Sequence, residues 1–330
     1  MRSSDIIASI IALFPILRPI MIEGSPGGGK TSICKQVSKT LGVPLIVKHL
    51  PTMLVEDFGI LFPSSADNTL YYKLPDWFPV AGKPGTEHGG ILLFDDRSQA
   101  GPDLQKVLAN IILERELHGH KMADGWQVIS TGNRQSDRAG ANRTLSHLAD
   151  RETVYEYETH LDDWTGYAME NNFHPMVVSF IRFRPNLLHD FDANRPKNAT
   201  PRGWEAVSTM LPHLKPEIEF ASIKGTVGDG PAAEFTGFCK IYRGLPNPDA
   251  VLLDPDGSAV PSDPATLYAL TGALATRVTA SNFGRMVAYV SRMPPEFSVL
   301  AVKMSVKRDP KLAITPAFNQ WAIAHKNVLF

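Results

Sequence analysis

Nine residues near the start of the chain, GSPGGGKTS from Gly24 to Ser32, place four glycines and a lysine directly behind an apolar run. They fit the spacing G-x-x-x-x-G-K-[ST], with Gly24, Gly29, Lys30 and Thr31 at the fixed positions. Glycines let backbone N–H groups turn inward with no Cβ in the way, which makes a nest for phosphate oxygens. The helix that follows adds its N-terminal dipole, Lys30 a charge for the β- and γ-phosphates, and Thr31 a hydroxyl for Mg²⁺. The expected nucleotide contacts are Gly24, Pro26, Gly27, Gly28, Gly29, Lys30, Thr31 and Ser32, and the expected cofactors are ATP and Mg²⁺. A second stretch, GILLFDD (Gly90–Asp96), is an apolar run ending in two acids. In a parallel sheet the carboxyl end of such a strand lies beside the loop after the first strand. Asp95 would then hold Mg²⁺ together with Thr31, and Asp96 would polarise the attacking water.

Strands and helices must position these groups. Five strand-like runs occupy the first 160 residues: Ile20–Glu23, Pro44–Leu50, Gly90–Asp96, Trp126–Thr131 and Thr153–Thr159. The third is nearly continuous Ile and Leu, as expected of a strand buried on both faces. Helical patterns separate most of them. In LQKVLANIILERE, the residues Leu104, Val107, Leu108, Ile111 and Ile112 share one face, with Pro102 near the first turn. The alternation predicts an α/β domain with crossover connections. The stretch between the second and third runs, rich in Pro, Gly and aromatics, predicts an inserted hairpin or ordered loop. Beyond residue 160 helical patterns dominate, interrupted by a Pro- and Asp-rich connector at Gly244–Pro264.

At 330 residues the chain is long enough for two modules. A hydrophobic share of 43% with 20% charged residues is that of a soluble globular protein, and a formal net charge of −1 argues against a general nucleic-acid binder. Cys34 and Cys239 make no disulfide framework or metal-ligand spacing, so reduced core thiols in a cytoplasmic protein are expected. The apolar run Ile6–Ile22 is broken by Pro15, Arg18 and Pro19. It reads as a short helix, a proline break and a buried strand rather than a leader or membrane span.

The order of motifs carries a resemblance. The glycine-rich loop is followed by LLFDDRSQAGPDLQKVLANIILERELHGHKMADGWQVISTGN, then LSHLADR, then TPRGWEAVS. Together they resemble the MoxR branch of the AAA+ ATPases, the short bacterial and phage type, from Gly24 to about Tyr242. The resemblance implies a P-loop AAA+ fold: a five-stranded parallel sheet with flanking helices (1–160), a helical lid (161–243) and a helical C-terminal extension (244–330). It implies that Asn133 is the sensor 1 residue that helps orient the lytic water, and that Arg151 is the arginine finger reaching a neighbouring subunit's γ-phosphate. Arg143 and Arg138 compete for the finger role. It makes Arg202, behind the capping Thr200 and Pro201, the sensor 2 residue. It further implies ATP hydrolysis at the interfaces of a homo-oligomeric ring, expected to be a hexamer. The work would be remodelling of a protein client, with a von Willebrand factor A domain protein as the family-level partner and no membrane. The stretch DFGILFPSSADNTLYYKLPDW and a hairpin at ERELHGHKMADGW with Gly119 at its tip would face the pore or the substrate.

One departure bears on chemistry: Asp96 stands where the family usually has Glu, which draws the carboxylate back by about 1.5 Å. A scaffold that binds ATP but hydrolyses it weakly is therefore one alternative. A nucleic-acid-dependent motor on the same scaffold is another. A P-loop kinase or monomeric switch would leave Asn133, Arg151 and Arg202 without jobs.

Overall fold

The computed structural model describes residues 1–64, 67, 69–137 and 150–325. The apolar N-terminal run divides as expected. Helix α1 (Ser3–Leu13) is followed by a 3-10 turn containing Pro15 and by β1 (Ile20–Glu23). After the glycine-rich turn, α2 (Lys30–Leu41) runs to Gly42, whose left-handed backbone closes it. The next strand is β2 (Leu45–His49). The expected insertion contains a hairpin, β3 (Ile60–Pro63) with β4 (Leu70–Lys73). Then follow β5 (Gly90–Asp95) and α3 (Pro102–Glu114), which starts on Pro102. A second hairpin, β6 (Glu116–Leu117) with β7 (His120–Lys121), precedes β8 (Trp126–Gly132) and β9 (Thr153–Glu156). Its turn residues His118 and Gly119 both have positive φ, as a two-residue hairpin demands, and Gly119 supplies the tip.

β2, β5, β8, β1 and β9 form one parallel sheet in that spatial order. Every side chain of β8 and nearly all of β5 are buried, because helices cover both faces. Ile20, Ile22, Ile91, Leu93 and Ile129 pack with Ile6 and Ile10 of α1 and Ile33 and Val37 of α2. Leu92, Phe94 and Val128 point the other way and pack with Leu104, Leu108 and Ile111 of α3. β9 stops at Glu156, short of Thr159, because its partner β1 ends opposite at Glu23 and turns into the glycines. This α/β P-loop architecture fills the first compact unit, Met1–His160.

The second unit, Leu161–Phe330, is built from helices among its described residues, with one isolated bridge between Asp190 and Ala199. It comprises α4 (Leu161–Glu170), α5 (Pro175–Phe183), α6 (Pro201–Met210), α7 (Pro216–Val227), α8 (Asp229–Arg243), α9 (Pro248–Leu253), α10 (Pro264–Arg277), α11 (Phe283–Val290), α12 (Pro295–Arg308) and α13 (Pro316–Ala324). Two of these leave no helical pattern in the sequence. α7 buries the i, i+4, i+8 stripe Glu219, Ile223 and Val227 while Ile218 and Phe220 stay exposed, which hides its periodicity. α9 has six residues, too few for a pattern, and is started by Asn247, whose side chain accepts from Asp249 N. Residues 244–330 share the core of the helices before them. Ala265, Ala269, Leu300 and Met304 join Phe180, Trp204 and Phe235 in one apolar cluster. Among the described residues, no helix is long and apolar enough to cross a membrane.

Candidate active site

The glycine-rich turn links the end of β1 to the start of α2. Gly24, Pro26, Gly27, Gly28 and Gly29 form the turn, and Lys30, Thr31 and Ser32 form the first turn of the helix. Gly29 is the N-cap at φ +102 with no side-chain cap, and Gly27 has φ +72. No N-cap side chain bonds this helix start, an arrangement suited to receiving an anion. Gly24 and Gly28 are needed for a different reason: the ring and backbone of Tyr157 press on them. A Cβ on Gly24 would lie 2.8 Å from Tyr157 O, and one on Gly28 would lie 3.1 Å from the Tyr157 ring. Tyr157 also donates its hydroxyl to Gly28 O at 2.8 Å.

Lys30 is 6% exposed and donates to Gly24 O (2.8 Å), Ser25 O (3.1 Å) and Asn133 Oδ1 (3.0 Å). Thr31 Oγ1 lies 2.9 and 3.0 Å from the two oxygens of Asp95, at the end of β5. Thr131 Oγ1 donates to Asp95 Oδ1 at 2.6 Å and accepts from Asp96 N at 3.0 Å, so one hydroxyl orients both acids. Asp96 adopts the left-handed conformation, φ 55 and ψ 40, which Asp tolerates better than most residues other than glycine. Asn133 is 5% exposed and its N–H donates to Ser98 Oγ at 2.8 Å. The structure thus brings Lys30, Thr31, Asp95, Asp96 and Asn133 together.

His49 joins them at the end of β2. Its Nδ1 lies 3.9 Å from Asp95 Oδ2 and 3.7 Å from Asp96 Oδ2, and the three residues have potential ligand atoms within 4.8 Å of one another. A hydroxyl against a carboxylate, flanked by a second acid, is a hard-oxygen donor set that fits Mg²⁺. The uncapped glycine turn fits phosphate. Burial pushes the carboxyl of Glu23, just before the turn, above its usual range; Arg97 opposes this and Glu152 adds to it. Burial, with Asp95 nearby, raises the thiol of Cys34 strongly, so Cys34 is a neutral core group beneath the loop.

Arg151 makes its side-chain contact elsewhere, and Arg202 belongs to the second unit. Arg151 lies just before β9, 62% exposed, with Glu114 Oε1 3.5 Å away. Arg202 lies exposed in the first turn of α6, in the second unit, where Thr200 Oγ1 caps Gly203 N at 3.1 Å. Arg138 and Arg143 lie outside the described residues. The sequence reading did not single out His49, Thr131, Ser98 or Tyr157. Strand order could have found His49 and Thr131, since one ends and the other nearly ends a strand next to β5, and that is where such sheets gather ligands. Tyr157 follows β9, and only its closeness to the glycines marks it.

Fold and site together define an α/β P-loop protein with a helical C-terminal unit. No family model matches the chain. Over 155 residues, which are 42% of this chain and 3% of the relative, it is 26% identical to Midasin of Giardia intestinalis. Among solved structures it is similar to NtrX from Brucella abortus in complex with ATP, at 12% identity and a TM-score of 0.36, over 99% of this chain and 68% of that one. It is also similar to a mutant RuvB from Thermotoga maritima, at 12% identity and a TM-score of 0.40, over 82% of this chain and 79% of that one. Likenesses this distant carry no residue roles across.

Proposed function

We propose that the chain is an AAA+ ATPase of the MoxR type, binding Mg-ATP at the subunit interfaces of a ring and hydrolysing it to remodel a protein client. The observation that carries this reading is the convergence of Thr31 on Asp95 beside the Lys30–Asn133 contact, above an uncapped helix start. Lys30 and the turn amides would grip the β- and γ-phosphates. Thr31 and Asp95 would hold Mg²⁺, which when bound neutralises phosphate charge. Asp96 would polarise the lytic water and Asn133 would orient it. The exposed guanidinium of Arg151 is suited to a phosphate held by another subunit, being always charged and able to fork onto two oxygens. Arg202 would act as the nucleotide sensor of the helical unit. A von Willebrand factor A domain protein remains the partner expected for the client role. Weak hydrolysis is the second reading, favoured by the short side chain of Asp96 and by His49 beside its carboxylate.

The test is the rate of ATP hydrolysis and the mass with ATP for wild type, Lys30→Ala, Asp96→Asn and Arg151→Ala. Lys30→Ala should lose binding; Arg151→Ala should bind ATP and lose turnover. Mixing Arg151→Ala with Asp96→Asn subunits should restore activity, because some interfaces then combine an intact Asp96 with an intact Arg151. Intact mutant rings that regain nothing on mixing would rule out a shared site.

A further inference from the structure

Beneath the site, Arg97 and Glu152 form a pair that the sequence did not announce. Arg97 Nη1 and Nη2 donate to the two carboxylate oxygens of Glu152 at 2.7 and 2.6 Å, and the side chains are 3% and 1% exposed. Arg97 Nη1 also donates to Ser130 Oγ on β8 at 3.2 Å. Burying two charges gains little stability over a well-packed apolar pair, whereas it fixes geometry through bidentate hydrogen bonds. The question is what geometry needs fixing here.

The chain neighbours of the pair supply the answer. Arg97 directly follows Asp96, and Ser98 accepts the N–H of Asn133. Glu152 directly follows Arg151. The pair therefore ties the turn bearing the candidate lytic acid to the residue adjoining the candidate trans guanidinium. β9 begins only at Thr153, whose N–H donates to Pro19 O. Glu152 is thus the side chain that anchors the approach to β9 from inside, while Arg151 projects outward. The contact of Arg151 with Glu114 is between two exposed groups and too weak to hold it.

We propose that the buried Arg97–Glu152 pair is a positioning strut that sets where Arg151 is presented to the neighbouring subunit, in register with the turn that carries Asp96. This rests on the shared-site ATPase reading. Arg97 and Glu152 touch no nucleotide in this scheme; they act through Arg151.

The test replaces the pair by an apolar one of similar volume, Arg97→Met/Glu152→Leu, in the full chain. Such exchanges of buried ion pairs commonly preserve or raise stability. The melting temperature and the KM for ATP should stay near wild type, while kcat falls about a hundredfold, the scale of an ångström-level misplacement. Mixed with Asp96→Asn subunits, whose strut and Arg151 are intact, the double variant should recover about tenfold, because its own lytic residues are then served by a correctly presented guanidinium. Glu152→Asp, which keeps both charges and draws the carboxylate back by one methylene, should show the same split in weaker form and serves if the double variant does not fold. A kcat within about twofold of wild type with an intact fold, or no recovery on mixing, would overturn the strut. If instead wild type fails to hydrolyse ATP, or Arg151→Ala turns over normally, the ATPase reading falls and the strut with it.

Discussion

Tyr157 makes a sharp prediction about how the glycine turn is kept in a phosphate-binding shape. Its hydroxyl donates to Gly28 O at 2.8 Å, and both residues are buried. Its backbone is held from two sides, by Tyr157 N donating to Glu23 O at 2.6 Å and by Arg134 Nη2 donating to Tyr157 O at 2.7 Å. The peptide between Gly28 and Gly29 is planar and trans, so a carbonyl fixed toward Tyr157 sends the N–H of Gly29 the opposite way. One phenol thereby chooses the direction in which a cradle donor points. In a turn where Gly27 and Gly29 already occupy left-handed backbone, little else opposes a flip of that peptide.

Tyr157→Phe removes the hydroxyl and keeps the ring that walls Gly24 and Gly28. Leaving a buried carbonyl without its donor costs about 1–3 kcal/mol. If the cost falls on the fold, the melting temperature of the first unit drops by about 2–4 °C for each kcal/mol in a unit of this size. If the turn relaxes instead, the same energy appears in ATP affinity, where 1.4 kcal/mol is about tenfold. The expected outcome is a modest loss of melting temperature with ATP bound about three- to tenfold more weakly. Calorimetric titration with ATP and a thermal melt in its absence read the two effects separately. An unchanged Kd with an unchanged melt would refute the brace. A lowered melt with an unchanged Kd would make Tyr157 a core residue with no part in shaping the turn.

Two further outcomes follow from other parts of the molecule. The carboxyl of Glu23 is pushed above its usual range chiefly by burial, so the fold is favoured with the proton on, and that advantage is lost as pH rises from the ordinary value of 4.5 through the raised value. Glu23→Gln should therefore melt higher than wild type at pH 8, with the difference shrinking as pH falls toward 4.5; a gap that grew on acidification would contradict the assignment. In the second unit, a Cβ on Gly272 of α10 would lie 2.0 Å from Ser179 Oγ of α5. Gly272→Ala should destabilise by about 1–3 kcal/mol through overpacking. Ser179→Ala, which removes a buried hydroxyl that has no hydrogen-bond partner, should recover part of that loss in a denaturant titration of the double variant.

Much of the site was legible because its chemistry is local in sequence. Glycines, a lysine and a threonine at fixed spacing must form a turn and a helix start. An apolar run ending in two acids must be a buried strand whose end carries charge. The sequence could also predict that both stretches meet, since parallel strands bring their carboxyl ends to one edge. What stayed hidden depends on side chains meeting across the sheet. His49 reads as an ordinary residue at a strand end until the order β2-β5 sets it beside Asp95 and Asp96. Glu152, next to Arg151 in the chain, gives no sign in the sequence of its pairing with Arg97, 55 positions away. The helix α7 was hidden for the converse reason, with exposed Ile218 and Phe220 and a buried Glu219. Glu219 is held there by Arg243 of α8, whose Nη2 lies 2.5 Å from its Oε2.

These hidden contacts share a physical character that bears on function. The local motif supplies groups that can bind a triphosphate, but binding groups alone do not fix where each points. Thr131 orients Asp95 and Asp96 together, Ser98 holds the backbone of Asn133, Tyr157 directs the Gly28 carbonyl, and Arg97 ties the acid turn to the entry of β9. The supports come from β8 near its end and from the segments just after β5 and β9, so the sheet acts as the common reference for all of them. A change in any one support should therefore alter turnover or affinity before it alters the fold. The variants proposed above separate these effects by measuring melting, affinity and kcat side by side.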